Sequence, residues 1–128
     1  MDFDQLFPGR FMKAGEFAGR DVVLTISDIG HEELPGERGM ERRAILGFGE
    51  TTKKLVLNKT NGLCCRALFG RETDDWVGKK ITLYAAPIEY GDSTHAIRIK
   101  GSPDIAADIV FDLKLARKKP RAITLRKT

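Results

Sequence analysis

The sequence predicts a mainly β fold with one helix lodged between its third and fourth strands. Three observations carry this. Residues 21–29, 41–49, 53–57, 80–86 and 95–100 alternate apolar and polar side chains, the period of a half-buried strand. Between the third and fourth of these lies a stretch where Leu63, Cys64, Ala67 and Leu68 share one helical face. Turn residues separate the first three strands closely enough for antiparallel hairpins.

Residues 1–20 form a lead-in. Its five large apolar residues, Phe3, Leu6, Phe7, Phe11 and Phe17, are expected to pack onto the body, with a helical turn around Ala14–Ala18. In the first strand Val22, Leu24 and Ile26 face one side and Val23, Thr25 and Ser27 the other. Residues 30–40, with three glycines and one proline, read as a loop. The second strand places Ala44, Leu46 and Phe48 on one face, and Glu50-Thr51-Thr52 turns the chain into the third, which ends at Leu55 and Leu57. Asn58, Thr60 or Asn61 caps the helix by accepting a hydrogen bond from a first-turn N–H, and Gly70 stops it with a left-handed backbone.

Trp76 sits in a turn before the fourth strand and reads as a lid over the helix. Residues 87–94 read as a loop, and 95–100 as a fifth strand with Ile97 and Ile99 inward. Ile109, Phe111, Leu113 and Leu115 alternate in a sixth, edge strand. Pro120 argues against regular structure beyond it. Three strands, a helix and two strands is the order of the OB-fold, whose helix plugs one end of a barrel. The expectation is therefore a five-stranded OB-fold-like Greek-key barrel over residues 21–113, followed by a C-terminal extension, residues 114–128.

Composition narrows the function. At 128 residues the chain is one domain by length and needs no disulfide or metal to fold. It has no apolar run of membrane-spanning length, and Asp2 and Asp4 leave no secretory pattern at the start, so a cytoplasm is the expected setting. Adjacent Cys64 and Cys65 point about 100° apart on a helix and lack CxxC spacing, so they read as packed thiols. The net charge of +4 is uneven. Residues 1–113 carry 15 basic and 18 acidic residues, net −3, whereas residues 114–128 carry seven basic residues and no acid, net +7. A basic segment on a near-neutral body fits a polyanion partner.

No catalytic constellation emerges, and the expectation is a non-enzyme with no cofactor or metal. His31 beside Glu32 and Glu33 is the nearest approach to a metal or acid–base pair, and the Walker, nucleophile-elbow and calcium-loop patterns are absent. Binding has better support. Single-stranded nucleic acid requires cations for phosphates and flat rings for bases. Candidate cations on the strands and helix are Arg42, Arg43, Lys54, Lys59, Arg98 and Lys100. The C-terminal segment adds Lys114, Arg117, Lys118, Lys119 and Arg121. Candidate rings are Tyr84 and Tyr90, with Phe48 read as core. Against the reading, Glu32, Glu33 and Glu37 crowd one rim with Arg38 as the only cation among them.

The pieces FMKAGEFAGRDVVLTI, KLVLNKTNGLCCRALFG, DDWVGKKITLY and HAIRI together resemble a family of small bacteriophage and prophage proteins, often encoded among replication and recombination genes. The recurring elements are Lys13 with the apolar strand after it, the box from Leu57 to Asn61, Phe69-Gly70, Trp76 with Gly78-Lys79 before a strand reaching Tyr84, and Ile97-Arg98-Ile99. They lie within residues 10–100. The resemblance implies an OB-like fold and a role on single-stranded DNA. The resulting expectation is a single-stranded DNA binder with little sequence preference. The alternative is an adaptor that docks on a recombinase, nuclease or replisome component.

Overall fold

The computed structural model of the chain describes residues 10–90 and 93–128, and at 88–90 and 93–94 the backbone alone. Seven strands form one open mixed sheet in the order β3-β2-β1-β4-β5-β7-β6. They are β1 (Val22–Gly36), β2 (Gly39–Phe48), β3 (Leu55–Leu57), β4 (Lys80–Tyr90), β5 (Ser93–Ser102), β6 (Ile109–Leu113) and β7 (Arg121–Lys127). The single α-helix among the described residues, α1 (Lys59–Phe69), lies between β3 and β4 in sequence, as expected.

The fold is mainly β, but the five-stranded closed barrel does not form. Two local causes are visible. β3 is only three residues long, and its flank is taken by the lead-in: Lys54 N–H donates to the Arg10 carbonyl at 2.8 Å, and Met12 N–H to the Lys54 carbonyl at 2.9 Å. The outer edge of β5, which would have to meet β3, pairs in parallel with β7 instead, Gly101 opposite Arg126 and Ser102 opposite Lys127.

Two segments read as loops are strand. β1 and β2 run on through residues 30–36 and 39–43 as a two-stranded ribbon, because their charges complement across the ladder: Glu32 faces Arg43 and Glu33 faces Arg42. The Gly36–Gly39 pair, with Gly39 at φ 98°, leaves a two-residue connection. Residues 87–90 and 93–94 likewise extend β4 and β5, with a register irregularity between Pro87 and Tyr90. β1 bends between its two partners. Residues 22–25 pair with β4 and residues 26–36 with β2, with a bulge between Ile26 and Asp28.

The helix is built as its sequence implies. Asn58 is the N-cap, its side-chain oxygen accepting from Asn61 N–H at 2.8 Å. At the other end Gly70 adopts φ 100° and donates its N–H to the Arg66 carbonyl. Trp76 is buried and its indole N–H reaches the Gly70 carbonyl at 2.9 Å, so it covers the helix end. The core joins Leu24, Ile26, Leu46, Phe48, Cys65, Leu68, Ile81, Leu83 and Ile99 with Phe17 of the lead-in. Residues 14–17 form a 3-10 turn whose Glu16 carboxylate accepts from Lys13 N–H at 2.7 Å. Phe3, Leu6 and Phe7 lie outside the described residues.

The segment after residue 113 is part of the sheet rather than an appendage. Leu125 on β7 is fully buried in the same core, and Ile123 packs against it. β7 approaches β5 so closely at Gly101 that a Cβ there would collide with the Arg126 backbone. Asp108 fastens the same end, accepting from Lys127 N–H at 2.8 Å and from the Arg126 guanidinium at 3.0 Å. Thr82 is consequently buried, its hydroxyl 2.8 Å from that of Thr128.

Candidate nucleic-acid interface

β5 and β7 touch only at their C-terminal ends. Toward their N-terminal ends they separate, and a cavity of about 920 Å³ opens between them. Three walls define it. Thr60 and Cys64 come from the first half of α1; Tyr84, Ala86, Pro87, Arg98 and Ile99 from β4 and β5; Leu113, Leu115, Lys118, Lys119, Arg121 and Ile123 from the β6–β7 hairpin. The lining carries four cations and no acid.

Five of the residues read from sequence as nucleic-acid contacts thus meet at one place: Tyr84, Arg98, Lys118, Lys119 and Arg121. Tyr84 and Arg98 are cross-strand partners, which puts both side chains on one face of the sheet. Arg98 also donates to the Ile97 carbonyl at 3.1 Å, which restrains it against the strand. Burial pushes the Cys64 thiol up to about 11, and the positive charges of Arg98 and Arg121 act against that shift. Cys65, deeper still, is pushed up to about 12 by burial and then by Cys64. Both cysteines are buried and free.

The remaining candidates do not line the cavity. Lys100 makes an ion pair with Asp21 at 2.7 Å, and its ammonium lies 5.2 Å from the centroid of the Tyr84 ring. Lys114 folds back on its own turn, donating to the carbonyls of Leu115 and Lys118. Arg117 is exposed at the turn, with φ 64°. Lys59 opens α1 next to Thr60 and is exposed. Lys54 lies at the opposite end of the sheet order, beside the lead-in. Arg42 and Arg43 sit on the ribbon opposite Glu33 and Glu32, and Arg43 is also 3.9 Å from Glu41. The Tyr90 side chain lies outside the described residues.

The sequence reading missed the apolar half of this site. Leu113, Leu115 and Ile123 contribute aliphatic side chains to the same lining. The signal was the alternation Ala122, Ile123, Thr124, Leu125, which is overshadowed by flanking charge and Pro120. Among the described residues no group of His, Cys, Asp and Glu side chains is arranged to hold a metal ion, and no helix is long and apolar enough to cross a membrane.

No family model, curated protein or solved structure matches the chain.

Proposed function

We propose that the chain binds single-stranded DNA with little sequence preference, in the service of phage or prophage replication or recombination. The observation that carries the reading is the convergence of Arg98, Lys118, Lys119 and Arg121 with Tyr84 on one cavity that has no acid in its lining. Cations without neighbouring carboxylates attract phosphates, and the ring and aliphatic wall accept the flat faces of bases. Two further points support it. The order of β1 to β5 with α1 between β3 and β4 is that of an OB-fold opened at its β3–β5 seam, and such folds commonly bind oligonucleotides. The sequence resemblance to phage and prophage proteins points the same way.

The test is titration of a fluorescent oligonucleotide at two salt concentrations. Removing residues 114–128 would delete buried Leu125, so the comparison uses the full chain and a Lys118→Gln/Lys119→Gln/Arg121→Gln variant. Affinity falls steeply with salt in the parent chain, and the slope of log affinity against log salt flattens by about 2 in the variant, at about 0.7 per lost phosphate contact. Absence of binding at low salt by the parent chain overturns the reading.

The adaptor reading rests on a separate observation. From the Glu32–Arg43 pair outward the β1–β2 ribbon has no other strand partner among the described residues, and it displays Met40, 63% exposed, near its tip. It predicts that Met40→Asp abolishes association with a purified recombinase, nuclease or replisome partner and leaves oligonucleotide binding intact.

A further inference from the structure

The cavity between β5 and β7 is closed at one end. The two strands run parallel, and the wall residues Ile99 and Ile123 lie just before the point where they meet. At that point Gly101 and Arg126 are packed backbone to backbone, with no room even for a methyl group. A strand that runs along the wedge toward the C-terminal ends of β5 and β7 is stopped at this junction, a shape that suits a strand end.

Charge makes the same distinction. A phosphodiester inside a strand carries one negative charge, whereas a terminal phosphate monoester carries between about 1.5 and 2 at neutral pH and has three acceptor oxygens. The described lining offers four cations and no compensating acid. Two of them, Arg98 and Arg121, come from opposite sides of the wedge, and both bear electrostatically on Cys64 in the same wall. Arginine forks suit the several oxygens of a terminal phosphate better than the single point of attraction a lysine offers. Thr60, in the first turn of α1, also lies on the wall. The capping Asn58 satisfies the N–H of Asn61, and no partner among the described residues takes the N–H groups of Lys59 or Thr60. The positive end of the helix therefore adds to the same field.

We infer that this cavity recognises the phosphorylated end of a single strand, with the terminal phosphate between Arg98 and Arg121 and the adjacent base against the aliphatic wall. The inference rests on the nucleic-acid reading above and sharpens it from strand binding to end binding.

The experiment uses the full chain and one oligonucleotide sequence in four forms: 5′-phosphorylated, 3′-phosphorylated, hydroxyl at both ends, and circularised. One phosphorylated form is expected to bind at least about tenfold more tightly than the hydroxyl form, the gain of one charge-assisted contact or more. The circle is expected to compete worst. Arg121→Gln and, separately, Arg98→Gln are expected to remove the phosphate increment and bring the phosphorylated form down to the level of the hydroxyl form. Equal affinity for all four forms overturns end recognition and leaves strand binding standing. Competition by an acidic peptide as strong as that of the phosphorylated form also overturns it, because the cavity would then read negative charge alone. Failure of every form to bind at low salt overturns both readings together.

Discussion

The β1–β2 ribbon and the β6–β7 hairpin are both antiparallel β-hairpins that carry basic residues, and they use them in opposite ways. On the ribbon each arginine of β2 faces an acid of β1: Arg42 opposite Glu33, Arg43 opposite Glu32. Arg10 of the lead-in adds another pair with Glu32 at 2.9 Å. On the hairpin, Lys118, Lys119 and Arg121 line a cavity with no acid among its lining residues, and the ion pair of Asp108 with Arg126 lies at the far end. Counting positive charges gives three on the ribbon (Arg38, Arg42 and Arg43) and seven in residues 114–128, and counting only the uncompensated ones widens that gap. Field strength at a surface follows the second count.

The largest test of this contrast concerns how each hairpin is held. Gly101→Ala places a methyl group into the Arg126 backbone and should destabilise the chain by about 2 kcal/mol or more, seen as a lower urea midpoint. Gly30→Ala on the ribbon meets nothing within 4 Å and should shift stability by less than about 0.5 kcal/mol. Leu125→Ala on β7 should cost about 2–5 kcal/mol, because that side chain is fully buried. A small effect there would mean that β7 is not part of the core.

A gentler test concerns charge. Lys119→Glu should weaken oligonucleotide binding and reduce its salt slope by about 1, whereas Arg42→Glu, already facing Glu33, should leave the slope unchanged. Equal slopes for the two variants would erase the distinction between the hairpins.

The smallest effect is expected from acid. The backbone N–H of Lys127, followed by the Arg126 guanidinium, holds the Asp108 carboxyl below its ordinary value of 3.8. Its contribution is thus complete above 3.8 and is lost as pH falls below that, through the depressed folded-state value. Hydrogen exchange at the β7 amides should accelerate over that acid range in the parent chain. In Asp108→Asn the acceleration over the same range should be reduced, and an unchanged profile would show that Asp108 does not fasten the strand.

What was legible in the sequence was local. The helix with its Asn58 cap and Gly70 stop, the lid Trp76 and the alternation of the first five strands are written within windows of a few residues, where periodicity and capping chemistry act. What was not legible depended on partners far away in the chain. The ribbon is strand with Glu32 and Glu33 in register opposite Arg43 and Arg42, while its own glycines and Pro35 advertise a loop. β7 is strand because Gly101, 25 residues earlier, leaves space for Arg126. Five candidate site residues converge, but only because that strand folds back on the sheet. Without it Lys118, Lys119 and Arg121 are merely a basic run. Lys100, Lys114, Arg42 and Arg43 looked equally suitable in sequence; Lys100 and Lys114 are held by intramolecular partners, and Arg42 and Arg43 lie on the ribbon opposite acids.

The parallel pairing of β7 with β5 also bears on how the chain folds. Hairpins such as β1–β2 and β4–β5 join neighbours and can form early, because little chain entropy is lost in closing them. The β5–β7 contact closes a longer loop, with β6 inside it. Any fragment ending before residue 121 leaves one edge of β5 open, with the floor beneath Leu125 exposed. Such a species presents apolar surface beside an unpaired strand, the combination that favours association between chains. Folding is therefore expected to be slowest, and most prone to aggregation, at the step that creates the cavity.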